Sequence, residues 1–148
     1  MQQMVLLSIT WLIGAYAIGQ GPTSEGVPMR QVLSPCPVSP NCVSSLSEKT
    51  RHRIEPLRHA MAHGEAFERL RVIVEAMPRA RITHATHDYL HAEFKTAVFG
   101  FIDDLEFAIA DTPGTIHVRS ASRAGYWDLG VNRRRVERIL QAFSSTDG

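Results

Sequence analysis

The chain has 148 residues, which is enough for one ordinary domain with its own core and too few for two comfortable ones. Its 16 lysine and arginine residues nearly balance 15 aspartate and glutamate residues, and the formal net charge is +1 with neutral histidines. This balance excludes a global field that would draw the whole protein onto nucleic acid or anionic lipid, so any electrostatic function must be local.

The N-terminal segment is apolar. Residues 4–19, MVLLSITWLIGAYAIG, carry no charge, and the first charged residue of the chain is Glu25. A membrane-spanning helix needs about 20 such residues and the apolar part of a signal peptide roughly 7–15, so this segment is intermediate in length. Small residues between Ala15 and Gly19 provide cleavage points. We therefore predict a signal peptide or membrane anchor over residues 1–19; the alternative is a buried N-terminal helix of a cytosolic protein.

A linker and a disulfide are predicted next. Residues 20–34 begin with QGPTSEGVP, which cannot form a periodic apolar face, so we expect a linker there and a single domain over residues 35–148. The only two cysteines, Cys36 and Cys42, stand in PCPVSPNC, a loop short enough for its ends to meet. Export would oxidise them, which favours a disulfide. The alternative is a two-thiolate metal or redox site, although the spacing matches neither a C-x-x-C motif nor half a zinc site.

The first regular element of the domain is a predicted helix. Residues 44–62 are basic and broken by Pro56, so we expect coil or a short extended piece around Ile54–Leu57. From Glu65 to Met77 the apolar residues then recur three and four positions apart, at Phe67, Leu70, Ile73, Val74 and Met77. This spacing is typical of an amphipathic helix lying on a core.

A two-residue alternation replaces the helical period after this helix. It predicts four strands joined by short loops, over Arg81–Thr86, Tyr89–Lys95, Phe101–Ile109 and Thr115–Arg123. A last helix follows, with Asn132 as its N-cap, Val131 and Val136 as a hydrophobic staple, and an inward stripe of Val136, Ile139, Leu140 and Phe143. The predicted fold class is α+β: a four-stranded antiparallel meander, an amphipathic helix before it, and a C-terminal helix packed on one face.

The hairpin loops predict which strand residues stand opposite one another. A four-residue turn at 111–114 sets four pairs: Ala110 with Thr115, Phe107 with Val118, Glu106 with Arg119, and Asp103 with Ser122. Matching Phe94 with Phe101 in the preceding hairpin sets His91 opposite Asp104 and Tyr89 opposite Glu106. One face of the sheet then carries a polar patch of Tyr89, His91, Glu93, Asp104, Glu106, Arg119 and Arg123.

Three interpretations of this polar patch stay open. It is a solvated face with cross-strand ion pairs and no function. Alternatively, Arg119 and Arg123 grip a carboxylate or phosphate while the acids orient them. In the third interpretation His91, Asp104 and Glu106 are metal ligands or a general acid–base set.

Two further features concern charge at the edge of the predicted core. Asp103 falls on the apolar face of its strand, so it needs a partner among Ser120, Ser122, Tyr126 or an arginine, and we expect a structural network. The run 133–135 puts three arginines in the first turn of the last helix, where the macrodipole is already positive. Either Asp128 and Glu137 balance them, or an anion binds at the helix N-terminus.

Four segments of the sequence resemble one known family: PCPVSPNCVSS, YLHAEFKT, FGFIDDLEF and IHVRSASRAGYWDLGVNRRRVE. They are similar to the bacterial and plastid domain of unknown function 1499, over about Cys36 to Phe143. The chain departs from the family's pattern at Trp127 and at Ala124, where a larger aliphatic residue is usual. The resemblance implies an envelope or thylakoid-lumen protein with a signal peptide or membrane-attached N-terminus and no assigned activity. The positions that match the family's motif are Asp103, Asp104, Glu106, Arg119, Ser120, Ser122, Arg123, Tyr126, Asp128, Asn132, Arg133 and Arg135.

We therefore expect an exported or membrane-anchored, non-enzymatic domain of the periplasm or cell envelope. It would bind an anionic ligand or an envelope protein through the surface of Arg119, Arg123 and Arg133, with no metal, cofactor or nucleic acid, and would touch the membrane only through its N-terminal segment. The candidate binding residues are the motif positions from Asp103 to Arg133. The alternatives are a hydrolase or isomerase that uses His91 with Asp104 or Glu106, and a purely structural interaction module marked by an apolar patch beside Trp127.

Overall fold

The structure is a computed structural model of the chain and describes residues 33–145, apart from the side chain of His63. The predicted signal peptide or anchor over residues 1–19 and most of the predicted linker lie outside the described residues. Within the described part of the chain, no helix combines the length and the apolar character that a transmembrane span requires.

The described residues form an α+β fold of six strands and two helices. The elements in chain order are β1 (Cys42–Ser44), β2 (Leu57–Arg58), α1 (His63–Glu75), β3 (Ala80–Ala85), β4 (Tyr89–Lys95), β5 (Ile102–Ile109), β6 (Thr115–Ser122) and α2 (Val131–Ser144).

All six strands belong to one antiparallel sheet, in the order β1-β6-β5-β4-β3. The four predicted strands are its central meander, but the prediction of only four strands was wrong. Two short strands, β1 and β2, pair one after the other along the outer edge of β6. They hold three and two residues, and every residue of β1 is buried, so neither strand shows the alternation by which the others are recognised.

Both helices lie on one face of the sheet; the sequence predicted this packing for the C-terminal helix alone. Phe67, Leu70 and Val74 of α1 are buried in the same core as Val136 and its neighbours on α2. The core is completed by strand residues that include Leu90, Leu105, Phe107, Ile116 and Val118. Each of these side chains contributes roughly 1.5–3 kcal/mol when it is removed from water. The other face of the sheet is left to polar residues.

One predicted hairpin register was confirmed and the other was wrong by two residues. Glu106 pairs with Arg119, as the turn at 111–114 predicts. In the β4–β5 hairpin, however, Phe94 pairs with Asp103 instead of Phe101. The connection is a six-residue loop over 96–101, in which Gly100 adopts a φ of 67° and Phe101 is exposed. A shift of two residues keeps every side chain on its predicted face.

The start of α2 also differs from the prediction. The N-cap is Gly130, in a left-handed conformation with a φ of 75°, and Asn132 lies inside the helix with its side chain buried. The Asp128 carboxylate accepts hydrogen bonds from the backbone N–H groups of Gly130 and Asn132, each at 2.9 Å. Val131 is exposed, so the predicted staple does not bury it. The side-chain amide of Asn132 does not cap the helix because it is hydrogen-bonded to Ser120 and Ser122 of β6 and to the carbonyl of Asn41.

The predicted disulfide is present between Cys36 and Cys42. It joins the segment that precedes β1 to the first residue of that strand. Because both sulfurs are bonded to each other, the alternative of a two-thiolate metal site is not realised in this structure. The bond constrains a segment that has little apolar surface of its own with which to hold itself in place.

Candidate functional site

The open face of the sheet carries the predicted polar patch. Six of the seven side chains project from β4, β5 and β6, and the seventh, Arg123, from the residue that follows β6; all face away from the two helices. Glu106 and Arg119 stand on the same side, and Nη1 of Arg119 donates to Oε2 of Glu106 at 2.9 Å. The predicted alignment of acidic and guanidinium groups is therefore correct.

Carboxylates on the open face neutralise its guanidinium groups. Arg123 binds both oxygens of Asp104, at 2.9 and 2.7 Å, and also donates to Glu93 at 2.6 Å. Arg81 of β3 donates to the other oxygen of Glu93 at 2.5 Å. Arg119 is held by its bond to Glu106, although its buried Nε has no hydrogen-bond partner within the described residues.

His91 lies between a carboxylate and a hydroxyl group. Its Nε2 is 2.8 Å from Oδ1 of Asp104, and its Nδ1 is 2.5 Å from the hydroxyl of Thr83. The hydroxyl of Tyr89 donates to Glu106 at 2.9 Å. The predicted contacts of His91 and Tyr89 with these acids therefore exist, but they run diagonally across the strands because the register is shifted by two residues.

The titration of this patch is dominated by its ion pairs. Burial raises the pKa of Asp104, but the hydrogen bonds from Arg123 and His91 outweigh burial and leave the pKa below its usual value. Hydrogen bonds from Arg81 and Arg123 likewise lower the pKa of Glu93. Both carboxylates are therefore ionised at neutral pH and are poor proton donors there. No group of three or more His, Cys, Asp or Glu side chains in the described ranges is arranged to hold a metal ion.

A buried polar network lies on the opposite, helix-covered face of the sheet. Asp103 is 1% exposed, and Nη2 of Arg135, itself 8% exposed, donates to its Oδ2 at 2.6 Å. Nη1 of Arg135 donates to Ser120 and Asn132, at 3.1 and 2.6 Å, and the guanidinium group lies 4.5 Å from the centre of the Phe94 ring. The anomalous aspartate thus has the arginine partner that its position required, in a structural network.

The network extends through Asn132 to the edge of the sheet. Its Oδ1 accepts from the hydroxyl of Ser120 at 2.6 Å, and its Nδ2 donates to Ser122, Asp128 and the carbonyl of Asn41. These bonds connect α2 to β6 and to the residue before β1. One atom of the network, Oδ1 of Asp103, is buried without a hydrogen-bond partner within the described residues. The other polar groups named here bind one another, so the contribution of the network is to position the helix.

The structure therefore separates the predicted binding residues into several places. Asp104, Glu106, Arg119 and Arg123 meet on the open face, whereas Asp103, Ser120, Ser122, Asp128 and Asn132 belong to the buried network. Arg133 donates to the backbone carbonyls of Arg51 and Arg53, at 3.1 and 2.9 Å. Tyr126 is 59% exposed in the loop before α2.

A cationic groove that the sequence reasoning missed lies at one end of the sheet. Its volume is about 450 Å³, and it is bounded by the β4–β5 loop, the α1–β3 connection and the first turns of α2. Five cationic residues line it, and one of them, Arg135, is paired with Asp103. We call it the basic groove and define it by the other four: Arg79, Lys95, Arg134 and Arg138. No aspartate or glutamate lines it, and none forms a salt bridge with these four residues within residues 33–145.

One signal in the sequence pointed toward the basic groove. The three arginines at 133–135 require negative charge nearby, but the sequence does not show which of them finds it within the protein. Arg133 binds backbone carbonyls and Arg135 binds Asp103. Within the described part of the chain, Arg134 donates only to the carbonyl of Leu129, at 2.8 Å. Arg79 and Lys95 come from distant segments, and no local pattern connects them to Arg134.

Comparison with known proteins identifies the domain by sequence. A family model described as "Protein of unknown function (DUF1499)" matches residues 32–143. A search of the curated proteins found no match.

The buried pair can be tested by removing its cation. We expect Arg135→Met to lower the free energy of unfolding by about 3–5 kcal/mol, because Asp103 is left charged and buried. The double variant Asp103→Leu/Arg135→Met should recover most of this loss. Urea unfolding measures both, with Arg138→Met, an exposed position one turn further along α2, as the matched control. Equal stability of Arg135→Met and Arg138→Met would contradict a structural role for the pair.

The open-face pair predicts a specific pH dependence. Because Asp104 has a folded pKa below its unfolded value of about 4, its pairing stabilises the protein above that pH, and the stabilisation is lost as the pH falls through the folded pKa. Arg123→Ala should therefore be less stable than the wild type at neutral pH, and the difference should shrink between about pH 5 and pH 2. Urea unfolding at a series of pH values measures it. Arg138 has no carboxylate partner within residues 33–145, so the difference in stability between Arg138→Ala and the wild type should not vary over this pH range.

Proposed function

Because the chain belongs to the DUF1499 family, whose description names no activity, we propose from its geometry that it is a non-enzymatic, anion-binding domain of the cell envelope. The anionic group binds in the basic groove formed by Arg79, Lys95, Arg134 and Arg138. This site differs from the surface of Arg119, Arg123 and Arg133 that the sequence analysis favoured.

The proposal depends on one observation: the arginines of the open face have anionic partners, and the cations of the basic groove have none within residues 33–145. A ligand that binds Arg123 must displace Asp104 and Glu93, so one ion pair is exchanged for another and little free energy is gained. A ligand that binds the four cations of the basic groove has no carboxylate within residues 33–145 to displace. Several convergent cations without a carboxylate among them are the arrangement that phosphate and carboxylate groups require.

The helix adds to the positive potential of this groove. Arg134 lies in the first turn of α2, where the aligned peptide dipoles leave a partial positive charge. Arg138 follows four residues later on the same side of the helix, and both side chains line the groove. Lys95 at the end of β4 and Arg79 before β3 face them from the sheet. The cations therefore surround a shared volume and are not scattered over a solvated surface.

A hydrolase is the second candidate function, and one observation favours it. Thr83, His91 and Asp104 are hydrogen-bonded in the order hydroxyl, imidazole, carboxylate, which is the order found in nucleophilic hydrolases. Arg123 holds the same carboxylate at two atoms, however, and the side chains stand on an open sheet face. We therefore rank binding above catalysis.

We propose further that residues 1–19 export the domain or anchor it in the membrane. The apolar run in the sequence and the disulfide between Cys36 and Cys42 support this, because structural disulfides persist mainly in oxidising compartments.

Export can be tested through the state of the cysteines in cells. In a bacterial host, the chain expressed with residues 1–19 should resist alkylation of Cys36 and Cys42, because oxidation precedes thiol trapping. The same chain without residues 1–19 should be alkylated at both cysteines. A mass-shifting maleimide read by gel mobility distinguishes the two states. Complete alkylation of both proteins would contradict export.

Anion binding can be tested with inorganic phosphate. Phosphate should raise the melting temperature of the full chain, relative to sodium chloride of equal ionic strength, because it binds only the folded state. At a phosphate concentration ten times the dissociation constant, the free energy of unfolding should rise by about 1.4 kcal/mol. The shift should disappear in Arg134→Gln/Arg138→Gln and persist in Arg119→Gln/Arg123→Gln.

The two double variants are matched, since each removes two arginine charges from the surface. General salt effects on stability should act on both alike. An equal phosphate shift in the two variants would place the binding elsewhere, and the absence of a shift in the wild type would overturn the proposal.

A further inference from the structure

The basic groove is flanked by exposed apolar side chains. Nine large apolar residues are exposed within residues 33–145; six of them lie in two loops, 98–101 and 126–130, and a seventh is the first residue of α2. These seven are Val98, Phe99, Phe101, Tyr126, Trp127, Leu129 and Val131. Both loops contribute to the lining of the groove. A soluble anion needs no such surroundings, so the apolar residues indicate a ligand or a surface with an apolar part.

The exposure of these side chains is large. Val98 and Leu129 are each 81% exposed, Phe99 is 73% exposed and Trp127 is 70% exposed. The rings of Phe99 and Phe101 are stacked, with centroids 5.5 Å apart, and Trp127 contacts Tyr126 edge-on. Aromatic residues beside lysine and arginine are typical of protein segments at the boundary between lipid headgroups and acyl chains.

We propose that the basic groove and its two flanking loops dock on a membrane surface that contains anionic lipids. This rests on the proposed anion-binding function and names its ligand: the lipid phosphate enters the groove, and the loop side chains enter the interfacial layer. Electrostatic attraction contributes about fivefold in affinity for each lysine or arginine close to an anionic surface. Four such residues surround the groove.

The charge of the groove also argues against docking of a second copy of the chain. A symmetric dimer through this face would place two sets of like charges opposite one another, without carboxylates from the groove to separate them. A bilayer of anionic lipids provides both the negative charge and the apolar layer. The membrane would then be contacted at a second place besides the predicted N-terminal segment.

The predicted linker makes such docking geometrically possible when residues 1–19 are retained as an anchor. Thirteen residues of the predicted linker, 20–32, precede Leu33, which is buried in the domain, and a flexible chain of that length would have a root-mean-square span of roughly 20 Å. The domain is then held close to the bilayer, so that even weak binding of a headgroup populates the docked state.

The test uses the full chain with Trp11→Phe, which leaves Trp127 as its only tryptophan. The protein is reconstituted into vesicles of phosphatidylcholine alone or with phosphatidylglycerol, each containing brominated lipid that quenches tryptophan on contact. We expect Trp127 to be quenched in the anionic vesicles, and less so in the zwitterionic vesicles or at high salt. Arg134→Gln/Arg138→Gln should lower the docking constant by roughly 25-fold, whereas Arg119→Gln/Arg123→Gln should leave it unchanged.

A second variant distinguishes a membrane from a soluble ligand. Phe101→Ser changes an exposed flanking residue that does not line the groove. It should weaken quenching in anionic vesicles and keep the phosphate-induced rise in melting temperature, which also shows that the variant is folded. A phosphate shift without quenching of Trp127 would overturn membrane docking, leave anion binding intact and point to a soluble anion or an acidic protein. Loss of both signals in the wild type would overturn the two proposals together. Quenching that is equal in both kinds of vesicle and in both double variants would show contact through the N-terminal segment alone.

Discussion

The buried ion pair between Asp103 and Arg135 determines how the C-terminal helix lies on the sheet. Two opposite charges that are almost completely removed from water must stay together, because either one alone would be left uncompensated in the core. Asn132 lies one turn before Arg135 on the same side of the helix and is tied to Ser120, Ser122 and Asp128. The rotation of α2 about its axis is thereby restricted. This restriction decides where every other side chain of its first turns points.

The consequences are clearest in the three consecutive arginines. With Arg135 turned inward, Arg133 reaches the carbonyls of residues 51 and 53, and Arg134 is left facing the basic groove. A structural interaction in the core thus places Arg134 at the surface, where no carboxylate of residues 33–145 pairs with it. Acidic and basic residues are nearly equal in number in this chain. A local excess of positive charge therefore arises where the fold brings basic residues together without acidic ones.

The two faces of the sheet use charge in different ways. On the open face each arginine is paired with a carboxylate of Asp104, Glu93 or Glu106, so the patch is polar and close to neutral. At the end of the sheet, the basic groove collects cations from the helix, a strand end and a connection, beside exposed aromatic loops. A count of arginines in the sequence favours the first surface. A ligand gains more free energy from cations that it does not have to take from a carboxylate, and this favours the basic groove.

The sequence by itself predicted the α+β class, the four central strands, the β5–β6 register and the disulfide, since each follows from a local pattern such as alternation, a short turn or the spacing of two cysteines. It also predicted that Asp103 needed a polar partner, because a carboxylate on an apolar face is costly wherever the partner lies.

The sequence could not show β1 and β2, which are too short to alternate. It also could not show that the carbonyl of Asn41 and the side chains of Ser122 and Asp128 would occupy the amide of Asn132. Only the tertiary structure decided which arginines are paired and brought Arg79, Lys95 and Arg134 around one groove. The reason is that hydrogen bonds and ion pairs between distant segments depend on distances in space, about which periodicity along the chain carries no information.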